Sequence, residues 1–185
     1  MTITESSLPG LYICQPKVVG DARGFFQEVF RFDEMEKAGL ALPTFVQMNH
    51  SRSAAGVVRG LHFQYDKPLG KLIRVPRGKA HMVAVDIRKK SKTLGKHLII
   101  EVSEENCTVL YVPPGFATGF CVSEGSADVE YLYTALYNPV GESNILWNDP
   151  AIGIHWPVAN PTLSERDKKA GTLADWLARP EANTF

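Results

Sequence analysis

The stretch "GVVRGLHFQ", residues 56–64, decides how this chain is read. Its β-branched and aromatic residues, bounded by Gly56 and the turn-forming "YDKPLG" (65–70), spell a short strand. Strand alternation puts Val58, Gly60, His62 and Gln64 on one face and Arg59, Leu61 and Phe63 on the other. A single imidazole, His62, therefore sits in an apolar strand. It is a metal ligand, a proton carrier or a basic core residue.

Working outward, the same kind of segment recurs at 11–19, 44–51, 71–76, 81–88, 97–102, 108–112, 118–123 and 128–135. Clusters of Gly, Pro and charged residues separate these runs, which predicts a sandwich or barrel rather than a parallel sheet with crossover helices. Two helices are expected, over 32–40, closed by Gly39, and over 164–178, stopped by Pro180. There is no repeat, low-complexity tract or linker, so residues 1–185 read as one β-dominated domain. In "TFVQMNHS" (44–51) Phe45, Gln47, Asn49 and Ser51 share a face. Polar residues at alternate positions favour an outer surface over a pocket between sheets.

Charge excludes some partners. Lys plus Arg number 20 and Asp plus Glu 20, so no global field attracts nucleic acid or an anionic membrane. No apolar run approaches the ~20 residues of a membrane span, and "MTITESSLPG" lacks the pattern of a signal peptide. Cys14, Cys107 and Cys121 are odd in number and widely spaced, which points to neither disulfides nor a zinc knuckle. A soluble cytoplasmic protein is expected.

The chemistry candidates each carry a plainer reading. The positions alternate to His62 are Gly60 and Gln64, and His50, His81, His97 and His155 are dispersed, so local spacing argues against a metal site. Lys71 in "GKLIRVPRGK" follows closely enough to stand on a strand beside His62. Tyr131, Tyr133 and Tyr137 in "EYLYTALYNP" are weak acids suited to proton donation, although Tyr131 and Tyr133 alternate as core residues would. Ser164 followed three residues later by Asp167 resembles a capping box, which favours a structural role for that acid. Arg23 in "GDARGFF" is either a bidentate phosphate grip or a solvated turn residue.

Together, "GDARGFFQE", "FVQMNHS", "GVVRGLHFQ", "GKLIRVPRGK", "VAVDIRK", "YVPPGFATGF", "YNP", "ILWNDPAIGIHWP" and "LSERD" resemble the dTDP-4-dehydrorhamnose 3,5-epimerase family of metal-free cupins, in the family's order from about residue 10 to 169. The resemblance implies a cupin-type jelly-roll β-sandwich with a few short peripheral helices, no cofactor, and a homodimer whose N-terminal strand pairs with the partner. It implies a nucleotide-linked 4-keto-6-deoxyhexose as substrate, most simply dTDP-4-keto-6-deoxyglucose, inverted at carbon 3, carbon 5 or both. It makes His62 the general base, Tyr131 the acid across the ring, Asp167 the residue that holds the imidazole and Lys71 the stabiliser of the enolate. Arg23 and Arg59 match positions that contact pyrophosphate and sugar, and Phe26, Glu28, Gln47, Asn49 and Trp147 match other pocket positions. The chain also departs from the family: Thr118 replaces a histidine, Met82 an acid and Leu136 an aromatic residue. These departures suggest epimerisation of one carbon or of a related sugar. A cupin ketoisomerase and a non-catalytic sugar-nucleotide-binding protein are the alternatives.

Overall fold

The computed structural model describes residues 1–40 and 44–185. In chain order the strands are β1 (Thr2–Glu5), β2 (Tyr12–Gln15), β3 (Val18–Asp21), β4 (Gly24–Gln27), β5 (Gln47–Ala54), β6 (Val58–Gln64) and β7 (Lys71–Arg77). They continue with β8 (Lys79–Asp86), β9 (His97–Ser103), β10 (Val109–Val112), β11 (Phe116–Cys121), β12 (Ser126–Tyr133) and β13 (Glu142–Asn144). Three α-helices accompany them: α1 (Phe32–Lys37), α2 (Glu165–Lys168) and α3 (Leu173–Leu177). One sheet runs β1-β2-β10-β7-β12-β5, a second β13-β6-β11-β8-β9, and β3 with β4 forms a separate hairpin.

The two large sheets pack face to face, the expected β-sandwich. Inward side chains of alternate residues fill the space between them: Ile73 and Val75 from β7, Ala80, Met82 and Ala84 from β8, Leu110 and Val112 from β10, Ala127 and Val129 from β12. The outward residues of the central strands are also apolar, because each sheet has a cover. Met35 of α1 and Leu40 pack on Cys14, Leu72, Val109 and Tyr111 behind the six-stranded sheet. Behind the five-stranded sheet, Leu173, Trp176 and Ala182 cover Leu61, Phe63, Val83, Val85 and Ala117. The rings of Phe63 and Trp176 meet edge to face at 4.6 Å between centroids. Burial on this scale, about 1.5–3 kcal/mol for each large side chain, holds the C-terminal segment down.

Several boundaries differ from those the sequence predicts. The strand expected over 11–19 divides into β2 and β3 around Pro16, which cannot donate to a ladder. The helix expected over 164–178 is two short ones, because Thr172 and Asp175 form a full capping box that starts α3 afresh. The helix expected over 32–40 ends at Lys37, with Gly39 at φ +85° turning the chain away.

One irregularity matters for function. On β11, Thr118 lies opposite His62 and Phe120 opposite Arg59, so two steps on β11 span three on β6. A bulge at Gly60 and Leu61 absorbs the extra residue. Gly60 has φ +142°, and a Cβ there would stand 2.6 Å from the Gly119 Cα. Only glycine fits that close approach.

Candidate active site

The bulge corrects the placement of Arg59. Simple alternation sets it with Leu61 and Phe63, on the face that packs against Trp176. Instead, Arg59 and His62 both line a cavity of about 220 Å³ between the sheets, joined there by Lys71, Thr118, Tyr131 and Glu142. Asn49 and Ser51 of β5 line it too, with Tyr133 of β12 and Met82 of β8. The alternating polar residues of β5 and β6 thus face a pocket and not the outer surface. Met48, exposed on the opposite side of β5, takes the position the pattern left for a core residue.

His62 lies on β6 between β11 and the short β13, opposite Thr118 on one side and Asn144 on the other, near where the chain following Trp156 returns. Thr162 bridges to Val57 and Gly171 to Ile145, which stitches residues 162–171 alongside β6 and β13. Buried Asp149 accepts the backbone N–H of Leu173 at 2.6 Å and anchors the start of α3. Within that fixed segment, Ser164 Oγ accepts the backbone N–H of Asp167 at 3.1 Å and caps α2. The cap uses only the amide of Asp167. Its carboxylate lies 2.6 Å from His62 Nε2. Asp167 thus takes part in the cap through its amide and faces His62 with its carboxylate.

Asp167 is 2 % exposed. Burial pushes its carboxyl up, but hydrogen bonding and charge from His62, with hydrogen bonding from the Ser164 side chain and the Gly60 backbone, outweigh burial, and the net shift is downward. With Nε2–H donating to this carboxylate, the lone pair of the neutral imidazole lies on Nδ1.

Lys71 is buried, and its ammonium donates to Thr118 Oγ1 at 2.5 Å and to the His62 carbonyl at 3.3 Å. Desolvation lowers its pKa to about 8, against the pull of the Glu142 carboxylate. Glu142 in turn accepts from Tyr137 Oη at 2.8 Å and from Arg166 at 2.6 Å. Tyr131 is held well above the ordinary phenol value, chiefly by burial. Arg59 reaches the cavity while donating to Ser53 Oγ at 2.9 Å.

Other predicted site residues lie apart from this cavity. Arg23 and Phe26 are exposed on the β3–β4 hairpin, where Arg23 pairs with Asp21, and Glu28 is exposed just beyond it. Gln47 bridges Asn49 Oδ1 and the Tyr137 amide at the rim. Trp147 packs against Trp156, whose indole donates to its carbonyl. Glu142 and Ser51 were not anticipated. Glu142 reaches the site only through the pairing of β13 with β6, and no local pattern signals it. Among the described residues no three His, Cys, Asp or Glu side chains gather as a metal would require.

The model of the family described as dTDP-4-dehydrorhamnose 3,5-epimerase matches residues 5–175. This chain belongs to that family. It is 47 % identical over 175 residues to the dTDP-4-dehydrorhamnose 3,5-epimerase of Neisseria gonorrhoeae, covering 94 % of this chain and 53 % of that longer relative. Its identity to the epimerase of Shigella flexneri is 45 %, over 95 % of this chain and 97 % of the relative. Among solved structures, the dTDP-6-deoxy-D-glucose-3,5-epimerase of Legionella pneumophila, in complex with dTDP-4-keto-L-rhamnose, superposes with a TM-score of 0.92. The two are 40 % identical, and the match covers 98 % of this chain and 96 % of that one. The 3,5-epimerase family assignment thus rests on nearly the full chain.

Proposed function

We propose that the protein inverts carbon 3, carbon 5 or both of dTDP-4-keto-6-deoxyglucose, by removing a proton beside the ketone and returning one to the opposite face. The observation that carries this reading is the His62–Asp167 pair at 2.6 Å, opening onto a cavity that also holds Lys71 and Tyr131. Nδ1 of His62 takes the proton, and the electron pair moves through the carbon skeleton onto the ketone oxygen. A carbon acid of this kind is weaker than imidazolium by roughly a dozen pK units, an uphill transfer of ~16 kcal/mol. Most of that deficit is offset where charge develops, so the buried Lys71 ammonium is assigned to the enolate oxygen. Tyr131 supplies the proton that completes inversion. Arg59, Asn49, Gln47 and Trp147 are assigned to binding the sugar and its nucleotide.

Arg23, Phe26 and Glu28 belong to this reading only if a second copy is present. Phe25 and Phe26 are 64 % and 72 % exposed on a hairpin outside their own chain's cavity. A homodimer in which each hairpin closes the partner's cavity covers these rings and brings Arg23 to the pyrophosphate. β1 pairs with β2 of its own chain and leaves its other edge open to the partner. With its three cysteines free, the enzyme suits the reducing cytoplasm.

A second reading, inversion at a single carbon, is favoured by one observation: the departures Thr118 and Met82 both line the cavity. Incubation with dTDP-4-keto-6-deoxyglucose in deuterated water, followed by NMR of the product, separates the cases. Label and inversion at carbons 3 and 5 support double epimerisation, and label at one carbon supports the restricted form. A shifted ketone or no exchange refutes both.

A further inference from the structure

We infer that Thr118 is the positioning residue for Lys71: its hydroxyl fixes the ammonium so that the remaining N–H points at the substrate's ketone oxygen. The inference rests on the epimerase reading above. Thr118 is 6 % exposed and stands directly across the ladder from His62, on the cavity wall. Its hydroxyl donates to the His62 carbonyl at 3.3 Å, which leaves a lone pair for the Lys71 ammonium. Lys71 donates to the same carbonyl. One hydroxyl and one carbonyl thus hold two of the three ammonium donors, and no third protein acceptor engages Nζ among the described residues. Threonine suits the task because its branched Cβ restricts χ1, so the oxygen is presented in one place.

The consequence is kinetic. A donor aimed at the ketone oxygen gains strength as that oxygen becomes an enolate, so loss of its aim falls on kcat more than on KM. The charged and titratable side chains facing Lys71 in the cavity are Glu142 from β13, Tyr131 and Tyr133 from β12, and His62 and Arg59 from β6. None of them replaces the Thr118 oxygen as an acceptor for Nζ in the structure.

The test compares Thr118→Val, Thr118→Ala and Thr118→Ser with the wild type, measuring deuterium exchange into dTDP-4-keto-6-deoxyglucose across pH, with thermal unfolding alongside. Valine and alanine both remove the oxygen, one with full bulk and one with less. Both are expected to lower kcat at least about tenfold with KM changed less than about threefold, the size of a lost hydrogen bond to a charged group. The basic limb of the kcat profile moves to lower pH, because the charged ammonium has lost an acceptor. Serine recovers most of the rate. Valine and alanine variants that fold and exchange at the wild-type rate, or a serine variant as slow as valine, overturn the proposal alone. A wild type that exchanges no carbon-bound hydrogen overturns the epimerase reading and this proposal with it.

Discussion

Asp167→Asn removes one charge from the pair that makes His62 a base and leaves the shape of the site nearly unchanged. The carboxylate is 2 % exposed and 2.6 Å from Nε2 of the partly buried His62, so solvent screens the contact weakly. A hydrogen bond involving an ionised partner contributes about 1.5–3 kcal/mol, and at 1.36 kcal/mol per factor of ten its loss slows the reaction about 10- to 150-fold. The loss falls on kcat, because the imidazolium that the carboxylate stabilises forms only as the proton leaves carbon. The variant also reports on stability. The folded carboxyl lies below its ordinary value of 3.8, so ionised Asp167 adds stability that is complete above that value and is lost as pH falls through the lower folded value. The asparagine variant lacks this acid-side component, and its stability falls less steeply over that range. The assay is steady-state exchange of solvent deuterium into substrate, with acid unfolding followed by circular dichroism. A variant whose kcat stays within about threefold of wild type, or one that changes only KM, refutes the role given to Asp167.

Other consequences can be checked in the same preparation. Tyr131→Phe removes the proposed acid, so deuterium still washes into the substrate while inverted product falls by about a hundredfold or more in product NMR. Lys71 acts as an ammonium with a pKa near 8, so activity declines as pH rises through about 8. Stability moves the other way between about 8 and 10.5, because there the unfolded chain holds a proton the folded one lacks; a urea titration series reads this directly. Gly60→Ala forces a Cβ to 2.6 Å from the Gly119 Cα at φ +142°, and unfolding measurements show a loss of at least about 2 kcal/mol. Mixing and exchanging subunits of His62→Asn with Arg23→Ala/Phe26→Ala restores activity at about a quarter of all sites, since each mixed dimer holds one intact cavity closed by one intact hairpin. No restoration after subunit exchange refutes the shared site.

Much of the architecture was legible because its signals are local. Alternation with β-branched residues located most strands of the large sheets but not β1 or β13, and it grouped His62 with the alternating polar residues without showing that they face a pocket. What was misread depends on contacts between distant segments. Arg59 reaches the cavity because a bulge at Gly60, accommodated by Gly119 on the neighbouring strand, shifts the phase of β6. A phase shift of one residue leaves no mark in hydrophobic periodicity. The polar face of β5 looked like a surface because alternation identifies two faces without saying what covers each. Asp167 was legible as a cap from Ser164, whereas its second partner is 105 residues away and required the fold. Glu142 lies on a three-residue strand too short to carry a pattern. The hairpin bearing Arg23 and Phe26 shows the same limit at a larger scale, since its exposed rings touch nothing in their own chain's cavity and their role depends on the homodimer proposed above.

The most direct measurement is the rate at which deuterium from solvent enters carbons 3 and 5 of dTDP-4-keto-6-deoxyglucose, with wild type and His62→Asn compared at equal concentration and matched folding. Rapid label beside the ketone is expected with the wild type and a loss of about a thousandfold with the variant, within the range for a general base. Wash-in that survives the substitution at near the wild-type rate contradicts the role given to His62, because some other group would then be removing the proton.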